Sequence, residues 1–480
     1  MKCVLFYLDT LRADHLGCYG HPFPTSPRLD KLASEGALFE RCVAPDVPTQ
    51  QAFTAFLTGW VGTRNGIVNF DQSRAVLPRG LPFLMECFVR KQHRTALFDR
   101  VTHHSGTPWT LSGWEDYIHC QGRAERVADE AIAWLKVHHK KDFVIMPHIW
   151  DPHAAYTMSS STHIDKFNPA DLKRLAPDQR ELHANPHLRY IYREHMRRSF
   201  PENPEVPVET AMAHYDASIR YADDHVGRIL DCLEELGIAE KTMILVFSDH
   251  GESWGTRGFV DHWNAYWHIA HVPLIMKYPG HIPAGFRSRA LVNLCDCLPT
   301  ALSLGGIPAP GRLSGKDLSP ILRGEMTKVR DFVVTSTAMG VAQRMLLDDD
   351  GWALMHCIES GFWDHIPRWE LHNINDDPNQ EKDLIDAHPD RVRDMQHTLF
   401  MWLDEQLGCN PDPVRLAARQ GCFGWGTDKV MGALRDDPAI CKGRFFAKAR
   451  FGEPKERAFI RWLLGEKDGF PRTHPPVERI

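Results

Sequence analysis

Three short apolar runs that stop against acids and imidazoles constrain this chain more than any other feature. Residues 2–8 end at Asp9. Phe143-Val144-Ile145-Met146 runs into His148, Asp151 and His153. Met243-Ile244-Leu245-Val246-Phe247 stops at Ser248-Asp249-His250-Gly251-Glu252. Runs this short and continuous suit strands buried on both faces of a parallel sheet, and open α/β sheets bind ligands at the carboxyl ends of such strands. Convergence of three polar strand ends is the geometry of an active site. Apolar residues at helical spacing (Ala211, Tyr215, Ile219, Val226, Ile229, Leu230, Leu233) predict a long helix over 208–236. Shorter helices are expected over 27–35, capped by Thr25-Ser26-Pro27, and over 52–58.

After about residue 330 the texture changes. Short alternating strands are expected at 331–337, 343–348 and 351–358, then a polar turn at 375–380 and a helix over 389–407. A chain of 480 residues is too long for one small core. The expected fold is therefore α/β, a large mostly parallel sheet between helices over 1–330. A smaller C-terminal α+β domain over 331–408 and an extension over 409–480 follow it. Residues 158–206 are rich in Pro, His, Arg and Lys with little apolar periodicity, and are expected to form a surface insertion over the site.

Composition excludes several classes. The formal net charge of -6 lacks the basic excess of a nucleic-acid binder. No apolar run reaches the roughly 18–20 residues that cross a bilayer, so no membrane partner is expected. The apolar start of the chain is too short for a signal peptide and has no cleavage site, and it is read as the first strand. The 12 cysteines are scattered, and Cys295 and Cys297 are too close for a zinc knuckle. Reduced thiols in a cytoplasmic protein are the simplest reading. A homo-oligomer is left open.

Asp9, Asp249 and His250 supply two carboxylates and an imidazole. That donor set suits one divalent ion, Mn²⁺ or Zn²⁺ in preference to Ca²⁺, which favours more oxygens. Thr49, ahead of the 52–58 helix, is a candidate fourth ligand and nucleophile, since coordination lowers a hydroxyl's pKa. The helix N-terminus would favour an anionic ester as substrate.

These segments resemble the alkaline phosphatase/sulfatase superfamily, and closely its bacterial sulfatase-like branch. The resemblance is carried by Asp9-Thr10-Leu11-Arg12-Ala13-Asp14-His15-Leu16-Gly17-Cys18-Tyr19-Gly20, by Thr25-Ser26-Pro27-Arg28-Leu29-Asp30-Lys31-Leu32-Ala33, by Leu57-Thr58-Gly59, by Ser248 to Glu252 and by Val272-Pro273-Leu274. It covers roughly residues 1–405 and implies a divalent metal and ester hydrolysis. One departure is decisive. Where sulfatases carry the Cys or Ser of C-x-P-x-R, this chain has Thr49, with Gln51 and Phe53 at the Pro and Arg positions. Threonine cannot become the formylglycine aldehyde, so none is expected. Cys42 lacks the motif. Thr10 replaces a second Asp ligand, and His250 an Asn.

The resemblance also implies roles for histidines. His262, twelve residues beyond His250, matches a spacing in threonine-type phosphoethanolamine transferases, where it would bind oxygens, protonate the leaving group or ligate a second metal. His153, in Trp150-Asp151-Pro152-His153, resembles the leaving-group histidine. His148 and His268 are weaker candidates, for substrate binding. Arg100 and His103 match a Lys-containing substrate segment poorly and are not assigned a role, and the basic residues of the C-terminal extension are read as surface. The leading reading is hydrolysis of a phosphodiester, phosphomonoester or phosphonate ester through Thr49. Sulfate-ester hydrolysis, transfer of a phospho group to an alcohol and an inactive binding protein are the alternatives.

Overall fold

The apolar run at the start of the chain, Lys2–Leu8, lies in the interior of a nine-stranded sheet. In this computed structural model the described residues are 1–69, 77–99, 108–120, 123–184, 186–361, 363 and 365–419. Arg100, His103 and the extension beyond Arg419 lie outside them. Lys2–Leu8 pairs in parallel with Phe143–Ile149 on one side and Thr242–Phe247 on the other. Every residue from Cys3 to Leu8 is buried, as a strand covered on both faces requires. Arg94–Asp99 and Asp116–His119 extend the sheet in parallel beyond Phe143–Ile149.

On the other side Leu274–Lys277 runs antiparallel between Thr242–Phe247 and Ala37–Val43. Phe286–Asn293 lies parallel to Ala37–Val43. His271–Val272 pairs with the same strand, and the register slips by one residue across Pro273, which has no N–H for the ladder. The sheet is thus mostly parallel, with one antiparallel line. The three buried runs read from sequence are its centre. The flanking strands carry polar residues such as Glu40, Arg41, Arg287 and Arg289, which blur the apolar signal.

The long helix is Val208–Glu235, packed against Ala124–His138 and against α1, Pro27–Ser34. The cap of α1 differs from expectation. Ser26 Oγ is bound to Asp30, while Asp223 of the long helix accepts from the backbone N–H groups of Arg28 and Leu29 at 2.9 and 2.8 Å. The helix start expected at 52 lies three residues earlier, so α2 is Thr49–Thr58.

A second, five-stranded sheet is made by Phe332–Thr337, Ala342–Asp348, Trp352–Glu359 and Trp369–Asn373, all antiparallel neighbours. Asp46–Val47 adds to it in parallel, so the segment leading into Thr49 is anchored to the smaller sheet. The helix Pro389–Leu407 covers one face, setting Val392, Met395, Leu399 and Leu403 against Val334, Leu346, Leu354 and Leu371.

Residues 158–206 form short helices whose Phe167, Leu172, Leu182, Leu188, Ile191 and Met196 join the core beneath the long helix. The segment is more deeply rooted than its polar composition suggests. No described helix is long and apolar enough to cross a membrane. The ten described cysteines are all free.

Candidate active site

Asp9 follows the first strand directly, and Asp249 and His250 follow Thr242–Phe247, so parallel pairing of the two strands brings them together. All three are buried, and their ligand atoms lie within 4.8 Å of one another. Thr49, the first residue of α2, completes the group with Oγ1 3.2 Å from His250 Nε2. The four residues come from three separate stretches of chain, as their positions in the sequence led one to expect.

Thr10 makes the turn. It adopts a left-handed φ of 60°, a conformation that costs a β-branched residue energy and persists where surroundings enforce it. Its amide donates to Asp249 Oδ1 at 2.9 Å, its hydroxyl to Asp9 Oδ1 at 2.6 Å, and its carbonyl accepts from Tyr215 at 2.7 Å. Thr10 thus ties two carboxylates in place where a second acidic ligand was the alternative. His250 Nδ1 faces the carbonyl of Gly251 at 2.9 Å, which fixes the tautomer with the proton there and leaves the Nε2 lone pair toward Thr49. Asp249 Oδ2, 3.2 Å from that Nε2, is a buried acceptor with no hydrogen-bond partner. An orphaned carboxylate oxygen, a free imidazole lone pair and a hydroxyl facing one another are what a divalent cation requires, and the residues present fit one.

In place of the substrate contact expected for His148, the structure sets it behind Asp9. Its Nε2 is 3.2 Å from Asp9 Oδ2 and its Nδ1 2.9 Å from Asp99 Oδ1. Burial works against its charge, but Asp99 and Asp9 outweigh burial and push the imidazole up to about 10. Burial and the facing Asp249 raise Asp9, with His148 opposing. Tyr7 stacks on the His148 ring at 4.0 Å. His268 is not brought into this group. It lies beside Tyr266, and burial and the nearby Arg12 hold its imidazole well below the usual range.

His153 and His262 meet next to the cluster. Their ring centroids are 5.4 Å apart, and His262 stacks on His250 at 4.3 Å. Their environments push them in opposite directions. Burial, Arg198 and His262 hold His153 well below its ordinary value. Burial also opposes charge on His262, but Asp261 and Glu252 overcome it and raise that imidazole to about 10. Opposed shifts in neighbouring titratable groups mark a candidate acid–base pair. Asp151, from the same polar cluster as His153, plays a different part. It accepts from Arg123 and from the N–H of Ala124, where the helix Ala124–His138 begins.

Sequence reading did not assign Asp99, Tyr7, Glu252, Asp261 or His195. Glu252 and Asp261 sit beside assigned residues, and that adjacency was the available signal. His195 had none.

A sulfatase family model matches residues 2–307, which is more than half of the chain. The chain belongs to the sulfatase family. It is a hydrolase acting on ester bonds, with the superfamily's fold and a candidate ligand group for the divalent metal that enzymes of this family bind. A second model, N-sulphoglucosamine sulphohydrolase C-terminal, matches residues 255–406, which include most of the smaller sheet. Among relatives, an N-acetylglucosamine-6-O-sulfatase of Bacteroides thetaiotaomicron is 24% identical, covering 80% of this chain and 82% of its own. Human arylsulfatase A is 26% identical, with 67% of each chain covered. The fold is shared with a phosphonate monoester hydrolase of Agrobacterium radiobacter, at TM-score 0.71 and 19% identity, over 85% of this chain and 96% of that one. It is shared too with a protein solved in complex with its substrate D-glucosamine-2-N,6-O-disulfate, at TM-score 0.69 and 19% identity, over 86% and 99% of the two chains.

Proposed function

We propose that this member of the family hydrolyses phosphate-type esters (phosphodiester, phosphomonoester or phosphonate ester) with Thr49 as an unmodified nucleophile. The observation that carries the reading is a threonine hydroxyl 3.2 Å from His250 Nε2, at the position where sulfatases need an oxidisable cysteine or serine. Threonine has a secondary alcohol and cannot give the aldehyde. A sulfated threonine would lack the elimination route back that an aldehyde hydrate provides. A phosphothreonine is cleaved by water at phosphorus.

A divalent ion, Mn²⁺ or Zn²⁺ in preference to Ca²⁺, would be held by Asp9, Asp249, His250 and Thr49 and would lower the hydroxyl's pKa and screen the substrate's charge. The chain's own residues do the rest. Thr49 Oγ, its proton already released to solvent, attacks phosphorus as the ester P–O bond breaks, and the alcohol departs with a proton from His262. Water then attacks the phosphothreonine, one of its protons returns to His262, and the Thr49 oxygen leaves as the alkoxide that starts the next cycle. His153 and His262 stand next to the nucleophile's partner His250, where such transfers are within reach. The N-terminus of α2, with its unpaired N–H groups, favours the anionic group.

A second reading has a specific support. The relatives named above are sulfatases, and sulfate esters of amino sugars would be the substrate class they suggest. The two readings are separated by turnover of matched 4-nitrophenyl phosphate, phosphodiester, phosphonate and sulfate esters, with mass spectrometry of the Thr49 peptide. The expected result is faster phosphate-type turnover and a trapped phosphothreonine. Sulfate turnover far above all phosphorus esters, with Thr49 unmodified, overturns the proposal.

A further inference from the structure

The loop after His250 carries a second buried group, Glu252, Asp261 and His262, joined by His195 from the insertion. Asp261 is held in a left-handed conformation, φ 68°, a strained placement for a residue with a side chain. Its two oxygens face different partners. Oδ2 accepts from His195 Nδ1 at 3.1 Å and lies 3.8 Å from Arg198. Oδ1 accepts the backbone N–H of His262 at 3.1 Å and lies 2.6 Å from that residue's Nδ1, in ion-pair contact. Glu252 Oε1 stands behind at 3.8 Å from the same Nδ1. Glu252 is itself fixed by the Ser253 amide at 3.1 Å and the Tyr156 hydroxyl at 2.9 Å. Tyr156 closes the ring with His195 Nε2 at 3.1 Å.

These donors also have the composition of a cation site. Each carboxylate already holds N–H or O–H partners, while His262 Nδ1 has its ion-pair contact with Asp261 and no hydrogen bond. What the group does is turn one edge of His262 toward carboxylates and lay its ring on His250.

We propose that Asp261 is a positioning residue for His262, and that His195 of the 158–206 insertion positions Asp261. The inference rests on the proposed role of His262 as proton donor to the departing alcohol. In that step the proton moves from Nε2 to the leaving oxygen as its bond to phosphorus breaks and the Thr49 Oγ–P bond forms. Asp261 touches no reacting atom. It holds Nδ1 so that Nε2 meets the leaving oxygen.

The test compares aryl phosphates of poor and good leaving groups, phenyl and 2,4-dinitrophenyl, in the full-length protein and its Asp261→Asn variant. A leaving group that departs unaided needs no proton donor. The expected loss in kcat is about 10²-fold on the phenyl ester, at the low end of what acid–base groups supply, and several-fold or less on the dinitrophenyl ester. Metal per chain stays unchanged. The Asp261→Asn, His262→Ala double variant is no slower than His262→Ala alone. His195→Gln, which keeps both carboxylates, shows the same leaving-group pattern at smaller size and serves if Asp261→Asn does not fold. Equal losses on both esters, or additive losses in the double variant, make Asp261 merely structural and overturn the proposal. Loss of metal makes it a ligand and overturns it as well. If the unaltered protein cleaves sulfate but no phosphate esters, the proposed substrate class fails. The same comparison on aryl sulfates then decides the role of Asp261 separately.

Discussion

The two buried clusters around His250 are built by different means. Asp9, Asp249 and His250 stand at strand ends, and the pairing of Tyr7 with Phe247 in the parallel sheet fixes how far apart they are. Glu252, Asp261 and His262 ride on a loop whose shape depends on side chains from elsewhere. His195 arrives from the insertion, and the smaller sheet supplies Glu370, which binds Arg257 and accepts from the Tyr266 hydroxyl at 2.5 Å. Gln380 and Gln343 accept from the loop amides of Trp267 and Ala265 at 2.6 and 3.1 Å. A sheet holds its residues through backbone hydrogen bonds that every residue but proline can make. A loop holds its residues only through particular partners. The first cluster should therefore fail through loss of its own ligands, the second also through loss of remote supports.

The largest effects test the first cluster. Asp249→Ala should strip the metal and reduce activity to background, and metal analysis of the purified variant checks it. Full occupancy would remove Asp249 from the ligand set. Thr49→Val keeps the shape without the oxygen and should lower kcat by more than about 10⁴-fold, the scale on which removing a nucleophile acts. Its thermal unfolding should match the parent. Retained turnover would show that water attacks directly.

Next come His262 of the second cluster and His153 beside it. His262→Ala and His153→Ala should each cost about 10²–10⁴-fold in rate with metal content unchanged. If either variant loses metal, the division into two clusters is wrong, because that histidine then belongs to the first.

The smallest effect probes the remote support. Tyr266→Phe removes one buried hydrogen bond to Glu370 and should cost about 1–3 kcal/mol in chemical denaturation. Turnover should fall modestly and metal affinity stay the same. Weakened metal binding would mean that the smaller sheet supports both clusters alike.

Much of the first cluster was legible because its signals are local. A buried strand announces itself by a continuous apolar run, and the residue at which the run stops is by construction at the sheet's edge. That stop places Asp9 and Asp249, and the ordered motifs around them make them candidate ligands. Thr49 needed the ordered motif around it, and the helix it begins started three residues before the apolar pattern did. The strand Trp369–Asn373 was missed because Glu370 and His372, on the face opposite Trp369 and Leu371, are polar yet buried against polar partners, so no apolar run marks it.

The sequence by itself determined that strand ends and a helix start would deliver two carboxylates, an imidazole and a hydroxyl to one edge of a mostly parallel sheet. Apolar spacing and motif order are properties of neighbours along the chain. Only the tertiary structure decided that His148 would bridge Asp9 and Asp99, that Asp223 would cap α1, and that His195 would reach Asp261 across 66 positions. Those bonds join side chains far apart in sequence. Each exists only because burial leaves a polar group no water to turn to, so it must find its partner among whatever residues the fold has placed beside it.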